Sequence, residues 1–106
     1  MSFSEARLKQ LLDLELQSPN DPFLKFALAQ EYAAMPDRIA AEMYYEILLE
    51  KFPDYLPTYY QYAKLQEEKN ETATAKDWYE QGIALAKKQA DSKTLSELEA
   101  ALFLLD

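Results

Sequence analysis

The chain contains no cysteine, no histidine and a single glycine, Gly82. Without cysteine there is no disulfide, no thiol nucleophile and no thiolate metal ligand. Without histidine, the commonest general base near neutral pH and the usual imidazole ligand of zinc are gone as well. No glycine-rich phosphate loop and no Ser/His/Asp set can be assembled. The residues therefore read as a non-catalytic protein with no cofactor and no metal. Adjacent glutamates such as Glu67 and Glu68 diverge on a helix and read as a solvated acidic face. Scarce glycine also removes the residue on which hairpins lean, which points to helices joined by short turns.

Long apolar runs are equally absent. Nothing approaches the roughly 20 residues needed to cross a bilayer, and Met1-Ser2-Phe3-Ser4-Glu5-Ala6-Arg7 has no apolar signal-peptide core. A cytoplasmic protein without a membrane partner is the expectation, and Asn70-Glu71-Thr72 reads as a turn rather than a glycosylation site. What abounds is acid: 19 Asp and Glu against 11 Lys and Arg, a net charge of −8. Such a surface repels phosphate backbones, so nucleic acid is not an expected partner. At 106 residues, 49% of them hydrophobic, one domain (1–106) is expected, with a modest core.

Hydrophobic period and helix-stop signals divide the chain into about six helices. Ser4 is placed to cap the first, with Phe3 and Leu8 as a hydrophobic staple and an apolar face of Leu8, Leu11, Leu12, Leu14 and Leu16. Asp21 and Pro22 open the second, which stops near Met35-Pro36. Asp37 is placed to cap the third, which Pro53 ends. Asp54 is read as the start of the fourth, with Pro57 in its first turn. Thr72 or Thr74 is read as the cap of the fifth, and Thr94 with Glu97 as a capping box for the sixth.

The chain then repeats itself. At a shift of 34 positions Ala29 returns as Ala63, Leu28 as Tyr62, Phe26 as Tyr60, Ala41 as Ala75, Tyr44 as Trp78 and Tyr45 as Tyr79. On these residues the chain resembles the tetratricopeptide repeat family. Leu28, Ala29, Tyr32, Ala41, Tyr45, Leu48 and Pro53 follow the pattern in residues 22–55. Tyr62, Ala63, Ala75, Tyr79 and Gly82 follow it in residues 56–89. Gln66, Leu48 and Lys87 depart from the family's aromatic, alanine and proline, and Lys25 and Tyr59 replace its tryptophan. The resemblance implies an all-α fold, a right-handed α-solenoid of antiparallel helix pairs. Residues 1–18 would form an N-terminal flanking helix and residues 92–106 a C-terminal capping helix.

Unrolling the second helix puts Leu24, Leu28, Ala29, Tyr32 and Met35 on one side and Phe23, Phe26, Ala27, Gln30 and Ala34 on the other. In the fourth helix Tyr59, Tyr62, Ala63 and Gln66 face inward, opposite Pro57, Tyr60, Gln61, Lys64, Glu67 and Glu68. The family's first helices line a concave groove that binds peptides. By resemblance, Phe23, Phe26, Gln30, Tyr60, Lys64 and Glu67 are the candidate site. Packing of Phe23 or Phe26 beneath a flanking helix is the alternative. Phe26 and Gln30 stand at the leading positions of the family's lysine–asparagine carboxylate clamp, so that specificity does not carry over.

Two functions are expected from these readings. One is a protein–protein interaction scaffold whose ligand, a protein or peptide segment, carries basic and apolar residues. The other is self-assembly: the tail Ala100-Ala101-Leu102-Phe103-Leu104-Leu105 is apolar all round the helix, and Leu102, Phe103 and Leu104 are the candidate homodimer contact.

Overall fold

The computed structural model describes residues 4–36 and 38–105. Six helices follow in order: α1 Glu5–Gln17, α2 Pro22–Ala33, α3 Ile39–Lys51, α4 Pro57–Glu68, α5 Thr72–Lys88 and α6 Ser92–Leu105. Their contacts divide the chain into two compact units, Met1–Tyr55 and Leu56–Asp106.

In the first unit α2 packs against α3 along a seam of Leu24, Leu28, Ala29, Ala41, Tyr45 and Leu48, all buried. Alanine at 29 and 41 lets the two backbones close together, and the tyrosine and leucines fill the flanks. Full burial of Leu28 alone is worth about 2 kcal/mol. Tyr32 stacks on Tyr44 at 5.8 Å with the rings nearly parallel, an offset pair worth about 1 kcal/mol beyond its area.

α1 is held differently. Among the described residues it contributes no buried side chain, and Leu14 and Leu16 are 47% and 80% exposed, so only Leu8, Leu11 and Leu12 of the expected apolar face turn partly inward. Charged contacts hold it to α2 instead. Buried Glu31 accepts from Arg7 Nε at 2.8 Å, from Arg7 Nη2 at 3.1 Å and from the Ser4 backbone N–H at 3.0 Å. Lys25, also buried, donates to Glu15 and to the Pro19 carbonyl at 2.8 and 2.7 Å. A buried charge survives only when paired and hydrogen-bonded, and both of these are.

The second unit packs α4 on α5 and α5 on α6. The buried residues are Tyr59, Tyr62, Ala63, Leu65 and Gln66 of α4, Ala75, Tyr79, Gly82 and Ala86 of α5, and Leu98 of α6. Trp78 lies edge-on to Tyr62 at 5.6 Å and tilted on Tyr59 at 6.0 Å. Thr58 is wholly buried, and its hydroxyl has no partner.

The helix ends show where local pattern holds and where it gives way. Ser4 and Asp21 cap as expected, accepting from Arg7 N at 3.2 Å and Phe23 N at 2.9 Å. Phe3 and Asp37 lie outside the described residues; the N-cap position of α3 is Arg38, without a side-chain cap bond. Asp54 does not open α4, which begins at Pro57 after a turn closed by Tyr55 N on Phe52 O. Proline at the first helical position sets that start, because its missing N–H and its fixed φ suit that place alone. Thr72 and Thr74 lie inside α5, whose N-cap is Glu71. Asp91, not a Thr94–Glu97 box, caps α6. Its carboxylate accepts from Thr94 N at 3.0 Å and Thr94 Oγ1 at 2.9 Å, which holds its pKa below the ordinary value.

Both α4 and α5 end in a Schellman turn with a residue in the left-handed region: Asn70 at φ 64° and Ala90 at φ 56°. The pairs Asn70 N→Glu67 O with Glu71 N→Gln66 O, and Ala90 N→Lys87 O with Asp91 N→Ala86 O, close them. Asparagine tolerates this conformation; alanine adopts it at a cost.

Candidate functional site

Each unit presents one of the two candidate faces. In the first, α2 buries Leu24, Leu28 and Ala29 and leaves Phe23 58% exposed, with Gln30 exposed one helical face away from that seam. Phe26 is half-buried. Its ring meets Tyr45 at 6.2 Å and Tyr55 at 5.7 Å, tilted against both, so it packs on α3 and the turn that follows. Beside it, Pro22, Lys51, Phe52, Pro53, Asp54 and Tyr55 line an open cleft of about 380 Å³. Burial, reinforced by Asp21, pushes the Tyr55 phenol above its ordinary pKa. Lys25 and Glu31 belong to the same helix but are committed to α1 and unavailable to a ligand. The Arg7 guanidinium holds the Glu31 carboxyl below its ordinary value.

In the second unit Tyr60, Lys64 and Glu67 succeed one another at i, i+4 and i+7 and share one side of α4. Lys64 is exposed, and Tyr60 and Glu67 are half-buried. The Tyr60 ring meets the ring of Tyr79 edge-on at 6.0 Å. The Tyr79 hydroxyl donates to the Glu67 carboxylate. Burial, with Glu67 as acceptor and neighbouring negative charge, pushes the Tyr79 phenol far above its usual range. One side chain of α5 therefore touches two of the three candidate residues of α4.

The repeat pattern marks Tyr79 as a helix-packing residue and assigns nothing to its hydroxyl. A signal was present: a buried tyrosine needs an acceptor for its hydroxyl, and at the repeat shift Glu67 replaces Ala33. Glu67 is accordingly not part of a merely solvated face. On α6, Leu102 is half-buried while Phe103 and Leu104 are 79% and 83% exposed. Among the described residues no three acidic side chains converge to hold a metal ion, and no helix is long and apolar enough to cross a membrane.

No family model matches the chain, and no curated protein does. Solved structures do. The solution NMR structure of a tetratricopeptide repeat domain protein from Salinibacter ruber is 40% identical to this chain, with a TM-score of 0.80 over 84% of this chain and 90% of that one. A crystal structure of a tetratricopeptide repeat domain protein from the same organism is 41% identical, with a TM-score of 0.76 over 80% of this chain and 96% of that one.

Proposed function

The chain belongs to the tetratricopeptide repeat family, whose fold is a protein–protein interaction scaffold, and we propose that it is a non-catalytic member binding a peptide or protein segment through exposed helix faces, that of α2 in the first unit and, taken by itself, that of α4 in the second. The observation that carries this reading is Phe23, a large aromatic side chain 58% exposed on a helix whose other side buries Leu24, Leu28 and Ala29. Exposed aromatics anchor interfaces because they bury much area at little entropic cost. Gln30 on α2 and Tyr60, Lys64 and Glu67 on α4 supply polar and charged contacts, and Phe26 acts as a floor. The net charge of −8 favours a partner with basic residues beside its apolar anchor.

The test is selection of a displayed random-peptide library against the full chain, followed by titration of the selected peptides. Phe23→Ala with Gln30→Ala removes two exposed side chains and leaves far-UV circular dichroism unchanged. Binding falls at least tenfold in this variant. Selected peptides indifferent to it, and to Tyr60→Ala, overturn the reading.

A second reading rests on Phe103 and Leu104. Two adjacent large apolar side chains about four-fifths exposed on one helix suit a contact between copies of this chain. Sedimentation across a concentration series decides it: Phe103→Ser with Leu104→Ser would abolish a dimer, and a strictly monomeric parent chain rejects it.

A further inference from the structure

We infer that Tyr79 is a positioning residue that turns the Tyr60–Glu67 side of α4 into a subsite for one long cationic side chain of the partner, an arginine in particular. The inference rests on the scaffold reading above and names the chemistry it recognises on α4. Three observations converge on it. The Tyr79 hydroxyl donates to Glu67, so the carboxylate is held by its Oε2 atom and does not sweep freely over the helix surface. An ionised carboxylate has about four lone-pair sites, so this bond leaves room for a planar guanidinium. The Tyr60 ring, edge-on to the Tyr79 ring at 6.0 Å, gives an apolar surface about two turns before that carboxylate.

The spacing selects the length of the ligand group. Seven residues of helix separate Tyr60 from Glu67, about 10 Å of rise. Short cations reach one element only. An arginine or lysine lays its methylene stem along the aromatic ring and sets its charged head on Glu67. Of the two repeats, the second alone carries this set. At the repeat shift the positions of Tyr60, Lys64 and Glu67 hold Phe26, Gln30 and Ala33, so α2 offers an aromatic ring without a carboxylate. Lys64 lies between the two elements and is exposed; its charge opposes a cation, and an anionic partner would instead need it. That opposition makes its sign of effect diagnostic.

The experiment is a titration of the full ¹⁵N-labelled chain with N-acetyl-arginine amide and, separately, with its neutral citrulline analogue. Amides of α4 around Tyr60 to Glu67 shift with the arginine probe and barely with citrulline. Tyr79→Phe, which keeps the ring and removes the anchor, weakens the arginine probe about fivefold. Glu67→Gln retains an acceptor for the Tyr79 hydroxyl but removes the charge, and it abolishes the preference for arginine. Lys64→Gln strengthens the probe. Equal response to arginine and citrulline, unchanged affinity in a folded Tyr79→Phe chain, or weakening in Lys64→Gln each overturns the inference. Library peptides that need Tyr60 yet show no basic preference overturn it too, while leaving the scaffold reading standing.

Discussion

Replacing Gly82 by alanine sets two physical terms of opposite sign against each other. Gly82 lies inside α5, where glycine is worse than alanine by about 1 kcal/mol, partly through the freedom it leaves the unfolded chain. Propensity alone therefore predicts stabilisation. The surroundings predict the reverse. A Cβ built at Gly82 would sit 2.9 Å from Tyr59 Cβ and 3.1 and 3.2 Å from the two δ carbons of Leu98. Non-bonded carbons rest at about 3.5 to 4.0 Å. Leu98 can yield by rotation, but Tyr59 Cβ is fixed to the backbone of α4, and Tyr59 is buried against Trp78. Relief requires α4 and α5 to move apart along a packed seam, the kind of overpacking that costs about 3 kcal/mol. The net is a loss of about 2 kcal/mol, or a fall in Tm of roughly 10 °C for a chain of this size. Thermal and urea unfolding followed by circular dichroism measure it. Adding Leu98→Ala relieves the two contacts to α6 and not the contact to α4, so the double variant recovers little. A Gly82→Ala chain as stable as the parent, or more so, refutes the claim that this glycine is there for close approach.

Three further outcomes are expected. Glu31 has its carboxyl held below its ordinary value of 4.5, chiefly by the hydrogen bonds from Arg7. The stability it contributes is therefore complete above that value and lost as pH falls through the folded one. Hydrogen exchange of α1 should accelerate selectively below about pH 4.5, and in Glu31→Gln that pH dependence should vanish; uniform acceleration of all six helices would contradict it. Ala90 occupies the left-handed region at φ 56°, so Ala90→Gly should stabilise by about 0.5 to 1 kcal/mol after the cost of a more flexible unfolded chain; a lower urea midpoint would disprove it. Thr58→Val removes a buried hydroxyl that has no partner and should add about 1 kcal/mol, whereas destabilisation would mean that the hydroxyl serves a hydrogen bond.

The sequence by itself determined the helices and their register. Ala41 and Ala75, Tyr45 and Tyr79, Ala29 and Ala63 recur because each repeat solves the same local problem, two helices brought close by small residues and flanked by aromatics. Period and cap chemistry are local, so Ser4, Asp21 and the buried seam of α2 and α3 were legible from the residues alone. Caps failed where a neighbour competed: Pro57 displaced Asp54, and Asp91 displaced Thr94.

Only the tertiary structure decided which polar groups are spoken for. Lys25 read only as a replacement for the family's tryptophan, and Glu31 carried no signal along the chain, yet both are buried and paired with α1. Tyr79 looked like filler, yet its hydroxyl holds Glu67. Gly82 looked like one more small residue, yet the space for a Cβ is taken by Tyr59. Those facts depend on atoms from different helices meeting within a few ångströms. A charge or a hydroxyl finds its partner by reach across space, and no periodicity along the chain encodes that reach.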